Sequence, residues 1–166
     1  RESGGTWIER GSEVGGGDIR AMVGTVAQIV EADELDDGRW SLLAVGTRRV
    51  RVREWLPDDG YPRAVVEDWP DEPAGNERDL AASYDARVAD LRRILVIISE
   101  MGAQISPDVE LSAEPAIGSH QIAVLAPLGA LDRQRVLTAP GAQHRLQLLE
   151  ELLADQELML EARRRD

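Results

Sequence analysis

The apolar residues of this chain change their spacing once, near residue 70. Before that point, short β-branched runs are separated by Gly, Asp and Pro, a pattern that is typical of strands and turns. After Pro73 the apolar residues recur at intervals of three and four, as on one face of a helix. The segment 69–79, WPDEPAGNERD, favours neither regular structure. We therefore predict an α+β protein, with a β-rich domain over 1–72 and an α-helical domain over 73–166.

The first part of the chain predicts an antiparallel meander. Turn sequences at 36–38 and 57–60 separate runs of strand-forming residues, and in the first turn Gly38 can supply positive φ. The expected strands cover 23–35, 40–45 with a continuation through Val50 and Val52 beyond an interruption at Gly46, and 61–69.

Arginine alternates with apolar residues in the segment 48–56, RRVRVREWL. Side chains alternate between the two faces of a strand, so one face should be apolar and the other basic. The apolar face carries Val50, Val52 and Leu56, and the basic face carries Arg49, Arg51 and Arg53. We interpret the basic face as solvated and paired with nearby acids, and the alternatives are a nucleic-acid surface or a face that contacts peptides.

Charge and composition exclude several classes of protein. The net charge is −12, which disfavours binding to nucleic acid. All 19 basic residues are arginine, so the chain cannot supply a P-loop lysine, a Schiff-base amine or a serine–lysine dyad. It has no cysteine for a thiolate nucleophile, a disulfide or a metal site. No segment resembles a signal peptide or a membrane span, so we expect a cytoplasmic protein that does not bind membranes.

Helical spacing predicts four helices, over 77–101, 115–125, 132–137 and 143–164. Gly102 is placed to end the first of them. Their leucine-rich stripes are expected to pack as a core, and the wide stripe of the last helix leaves open a homodimer contact.

No segment carries a recognisable catalytic, metal or cofactor motif. The adjacent pair Ser119 and His120 lacks the geometry of a catalytic triad, and His144 has no second histidine at metal-ligand spacing. The glycine-rich segment 13–18 lacks the residues of a phosphate-binding loop. We therefore expect no catalytic, metal or cofactor-binding residues.

Three segments in order, GTVAQI at 24–29, DGRW at 37–40 and GTRRVRV at 46–52, resemble the amino-terminal, substrate-binding domain of the Lon protease family. The segment 126–153 is similar to the helical half of that domain. The likeness is greatest to stand-alone bacterial forms. It implies a PUA-like antiparallel β-barrel followed by a C-terminal α-helical bundle. It implies no enzyme, because the ATPase and the peptidase of that family lie in later domains. Family members usually begin with a strand and a helix that this numbering lacks before Thr6, so we expect those elements to be omitted here.

The resemblance also implies a protein-binding module that recognises exposed apolar or unfolded polypeptide, or an adaptor for a separate ATP-dependent protease. Tryptophan offers the largest contact area, so the candidate contacts are Trp7, Trp40, Trp55 and Trp69. Gly15, Gly16 and Gly17 are candidates for a flexible lip beside the binding cleft. The alternative function is RNA binding by the PUA-like domain, with Arg48, Arg49, Arg51 and Arg53 as phosphate contacts.

Overall fold

The computed structural model describes the backbone of residues 2–10, 19–57, 59 and 61–165, and the side chains of that set from Arg20 onward. The chain divides into two compact units, Arg1–Pro70 and Asp71–Asp166. The first contains the strands and the second contains the helices.

The first unit is a four-stranded antiparallel sheet in the order β1-β2-β3-β4. The strands are β1 Glu2–Arg10, β2 Ile19–Glu34, β3 Trp40–Leu56 and β4 Arg63–Asp68. Gly38 has φ +81°, as the turn sequence predicts, and its amide donates to the Leu35 carbonyl at 2.9 Å. Gly46 does not interrupt β3, contrary to the prediction.

Among the strands β2, β3 and β4, three register shifts change which residues share a face of the sheet. Thr47 is an extra residue in β3 and Val30 is an extra residue in β2, while Arg53 is extra where β3 meets β4. An extra residue exchanges the faces of all residues beyond it on that strand. Trp55 pairs with Ala64 and therefore lies on the same face as Val52. Leu56 lies on the opposite face, whereas alternation alone predicted that it would share the face of Val52.

Val50 and Val52 are buried, as the alternation predicts. Ala21 and Val23 are also buried, although the register sets Val23 opposite Arg51, on the face that carries Arg49. Arg49 itself is only 8% exposed, so the prediction of a wholly solvated basic face is wrong at this position.

The second unit contains α1 Glu77–Glu100, α2 Pro115–Leu125, α3 Ala130–Thr138 and α4 Ala142–Arg165. Asn76 begins α1 by accepting a hydrogen bond from the Arg78 amide at 3.0 Å. Gly102 follows α1 with φ +96°, a conformation that ends a helix at little cost only for glycine. Among the described residues, no helix combines the length and apolar character that crossing a bilayer requires.

The four helices share one core, as their leucine stripes predict. Its fully buried side chains include Leu91, Ile94, Leu95, Ile122, Leu149 and Leu153. At the edge of this core Arg93 of α1 pairs with Glu157 of α4 at 3.1 Å. Hydrogen bonds to Glu157 and Asp90 raise the pKa of Arg93.

Candidate functional site

The outer part of the β2–β3 hairpin is exposed along almost its whole length. We call residues 29–45 the hairpin arm, and every residue from 30 to 45 is exposed. Its large exposed apolar residues are Val30, Leu35, Trp40, Leu42, Leu43 and Val45. Trp40 and Leu42 are 60% and 57% exposed, so most of their surface is available for contact. Large exposed apolar patches commonly mark interaction sites.

The two faces of the hairpin arm have different compositions. Trp40, Leu42 and Ala44 share one face, and the register sets them opposite Glu34, Ala32 and Ile29. Leu43 and Val45 lie on the other face, opposite Glu31 and Gln28. The first face is therefore the more apolar, and tryptophan provides the largest side chain on it.

Carboxylates border both faces of the hairpin arm. Its acidic residues are Glu31, Asp33, Glu34, Asp36 and Asp37, against a single basic residue, Arg39. Arg39 pairs with Asp37 at 2.7 Å. The hydrogen bonds from Arg39 hold the pKa of the Asp37 carboxyl below its ordinary value. In the part of the chain that the structure describes, the other four carboxylates have no ion pair.

The tryptophans named as candidate contacts lie in different surroundings. Trp40 is exposed at one end of β3, and Trp55 is half-buried near the other end, about 50 Å along the strand. The Arg20 guanidinium lies 5.2 Å from the centre of the Trp55 ring, and the buried Trp55 Nε1 has no hydrogen-bond partner among the described residues. The side chain of Trp7 and residues Gly15, Gly16 and Gly17 lie outside the described residues. Among the tryptophans whose side chains the structure describes, Trp40 is the exposed one and is placed for contact with a large partner.

The arginines considered as phosphate contacts interact with other side chains of the sheet. Arg48 pairs with Asp68 at 2.9 Å, and Arg53 pairs with Glu67 at 2.6 Å. The other two, Arg49 and Arg51, lie 4.6 Å and 4.2 Å from the centre of the Trp69 ring. The charges of these four arginines are therefore already engaged by neighbouring side chains of the first unit.

The Trp69 stack leads to a prediction about stability. We expect Trp69→Leu to lower the free energy of unfolding by about 1–2 kcal/mol, because it removes the ring that two guanidinium groups contact. Urea unfolding followed by circular dichroism measures the change. Trp40→Leu is the matched control and should stay within about 0.5 kcal/mol of the parent, since Trp40 is exposed. Equal losses for the two variants would contradict a stabilising role for the stack.

The helical unit contains a polar cluster that the sequence did not predict. The fully buried Arg145 donates from Nε to Ser119 Oγ at 2.9 Å, and its guanidinium also binds Asp71. The Ser119 hydroxyl therefore accepts a hydrogen bond from Arg145, which gives it a structural role. Among the described residues, no group of three or more His, Asp or Glu side chains could hold a metal ion.

Comparison with protein families identifies residues 10–155 as matching the model of the ATP-dependent protease La (LON) substrate-binding domain. The chain belongs to this family. The LON match includes the hairpin arm, helices α1 to α3 and more than half of α4. The family resemblance found in the sequence is thus confirmed.

The relatives of this LON domain include longer proteins named as Lon proteases. "Lon protease 2" of Bdellovibrio bacteriovorus is 29% identical over 136 residues, which cover 80% of this chain and 17% of the relative. "Lon protease" of Escherichia coli strain K12 is 24% identical over 143 residues, which cover 86% of this chain and 18% of the relative. The chain therefore spans less than a fifth of the length of the curated relatives that it matches.

A solved structure shares the fold. The "N terminal domain of Mycobacterium avium complex Lon protease" superposes with a TM-score of 0.64 at 15% identity, covering 82% of this chain and 72% of that one. A similarity at this level of identity shows a common mixed α and β fold, with an antiparallel sheet and helices.

Proposed function

We propose that this chain is a non-catalytic module that binds exposed apolar or unfolded polypeptide segments through the hairpin arm. The observation that carries the proposal is the exposure of Trp40 and Leu42 on one face of the arm. Membership of a substrate-binding domain family supports a role in binding rather than in bond cleavage. The absence of lysine and cysteine from the sequence removes the nucleophiles of several enzyme classes.

Burial of apolar surface would provide the main driving force. Covering the Trp40 and Leu42 side chains completely would contribute about 3–6 kcal/mol before the cost of ordering the bound segment. Such a surface suits extended chains of varied sequence, since apolar burial is non-directional. Folded proteins bury most of their large apolar side chains and should bind weakly.

We expect Trp40→Ala/Leu42→Ala to weaken binding of an unfolded protein at least tenfold, because it removes most of the exposed apolar surface of this face. The probe is a labelled protein that has been reduced and carboxymethylated so that it stays unfolded, and fluorescence anisotropy measures its Kd.

The same probe protein in its folded, oxidised form should bind at least tenfold more weakly than the unfolded form. Leu158→Ala is the matched control, because Leu158 is 68% exposed on α4 and lies outside the hairpin arm. If the double variant bound the unfolded probe as well as the parent does, the hairpin arm would not be the binding site.

RNA binding is less well supported. Arg48 and Arg53 are in ion pairs, and Arg49 and Arg51 lie against Trp69. A phosphate backbone would have to displace those contacts and approach a chain of net charge −12. RNA affinity that fell steeply with salt while unfolded protein failed to bind would reverse this order.

We extend the proposal to the finer architecture that the resemblance implies. The sheet of the first unit is proposed to belong to a PUA-like β-barrel, and α1 to α4 are proposed to form the C-terminal helical bundle. The two compact units are proposed to be the two domains expected from the sequence.

Delivery of bound segments to a separate ATP-dependent protease in the cytoplasm is the proposed adaptor role. We also propose a homodimer through α4, which sedimentation of the parent protein would test.

A further inference from the structure

We propose that the hairpin arm selects polypeptide segments in which apolar residues stand next to lysine or arginine. This inference rests on the proposed function, because it names the class of segment that the same surface binds. It is carried by the position of the carboxylates around the exposed apolar side chains, which an apolar surface alone does not require.

The strand register sets acidic residues directly beside apolar ones. Glu34 lies opposite Trp40, and Glu31 lies opposite Leu43. Side chains of directly opposed residues point to the same face, with Cβ atoms about 5 Å apart. A segment that covers Trp40 therefore comes close to a carboxylate on that face, and one that covers Leu43 does so on the other.

Most of the acidic groups of the hairpin arm lack a compensating charge. The single arginine of the arm, Arg39, is paired with Asp37 at 2.7 Å. In the described part of the chain, Glu31, Asp33, Glu34 and Asp36 form no ion pair. By contrast, Arg48 and Arg53, which lie on β3 outside the arm, are paired with Asp68 and Glu67. Among the described residues, unpaired carboxylates therefore lie beside the exposed apolar side chains of the hairpin arm.

This combination favours a cationic partner over an acidic one. The side chains of an extended segment alternate in direction. Apolar residues of the segment can therefore face Trp40 and Leu42 while neighbouring residues reach the carboxylates that border the arm. Lysine and arginine have long apolar stems that can lie along an apolar surface while their charged groups extend beyond it. Glutamate at the same positions would meet like charge. The apolar face supplies binding, and the carboxylates discriminate among partners.

Three fluorescein-labelled peptides test the inference. Each has twelve residues with the same four leucine or valine positions, and four neighbouring positions are all Lys, all Gln or all Glu. We expect the Lys peptide to bind at least tenfold more tightly than the Glu peptide in 50 mM NaCl, with the Gln peptide between them. In 500 mM NaCl the ratio should fall below threefold, because salt screens exposed charges.

The triple variant Glu31→Gln/Asp33→Asn/Glu34→Gln removes three carboxylates while retaining side chains of similar size. It should bind the Gln peptide as the parent does but lose most of its preference for Lys over Glu. The control Asp85→Asn/Glu151→Gln/Asp155→Asn makes the same charge change at exposed positions of α1 and α4, and it should keep the preference. The two variants have equal net charge, so a general effect of protein charge would change both alike.

The outcomes separate this inference from the proposed function. Equal Kd values for the three peptides, each weakened by Trp40→Ala/Leu42→Ala, would overturn charge selection and leave polypeptide binding standing. Failure of all three peptides and of the unfolded protein to bind would overturn both. Sedimentation at the assay concentration provides a further test, since burial of the hairpin arm between two copies of the chain would also overturn the inference.

Discussion

We expect Asp71→Ala to lower the free energy of unfolding by about 3 kcal/mol, because it leaves the buried Arg145 guanidinium without its counter-charge. Arg145 is fully buried, and it donates to Asp71 Oδ1 at 3.0 Å and to the Ala116 carbonyl at 3.1 Å. The Asp71 side chain is a quarter exposed, so the loss should fall at the lower end of the range for broken buried pairs. Thermal and urea unfolding followed at 222 nm measure it.

Two further variants make the Asp71 result specific. Asp71→Ala/Arg145→Met should recover at least half of the loss, because it removes the uncompensated charge and keeps an apolar side chain in its place. Glu72→Ala should stay within about 0.5 kcal/mol of the parent, since Glu72 is exposed and makes its hydrogen bond to Pro140 through the backbone. A stability of Asp71→Ala equal to that of Glu72→Ala would show that Arg145 needs no counter-charge.

This ion pair shows why part of the structure could not be predicted from the sequence. The prediction that 69–79 lacks regular structure holds from Trp69 to Asn76, and α1 begins at Glu77. The same segment is nevertheless anchored, because Asp71 binds Arg145, which lies 74 positions away. Composition gave the tendency of the segment to avoid helix and strand. It contains no information about which distant cation one of its carboxylates meets.

The helices could be predicted closely because their signals are local. The apolar spacing, Pro115 at the start of α2 and Gly102 after α1 all act within a few residues. The expected ranges therefore agree with α1, α2 and α4 to within one residue at each end. The helix α3 is longer than expected, from Ala130 to Thr138.

The strands were harder because their faces depend on pairing. Alternation correctly placed Val50 and Val52 in a core. The extra residues Thr47, Val30 and Arg53 become visible only when one strand is aligned with its neighbour. As a result, residue type could name Trp40 as one of four candidate tryptophans, but the sequence could not place Glu34 beside it.

We expect Gly118→Ala to lower the free energy of unfolding by about 2–3 kcal/mol, although alanine normally stabilises a helix relative to glycine. Gly118 is in α2, and a Cβ atom there would lie 2.0 Å from Tyr84 Oη and 2.4 Å from Cζ. Tyr84 is buried in α1, and its hydroxyl donates to the Ser112 carbonyl at 2.6 Å. The ring must therefore move, which costs packing and that hydrogen bond.

Gly129→Ala is the matched control for this substitution. Nothing lies within 4 Å of a Cβ atom added at Gly129, so the stability of Gly129→Ala should stay within about 0.5 kcal/mol of the parent.

The titration of Tyr84 gives a second readout, because burial raises the pKa of its hydroxyl and Asp85 raises it further. Displacement of the ring towards water in Gly118→Ala should lower that pKa towards the ordinary value, as followed by phenolate absorbance. If Gly118→Ala were as stable as Gly129→Ala and left the Tyr84 pKa unchanged, α1 and α2 would have to separate more easily than their buried contacts imply.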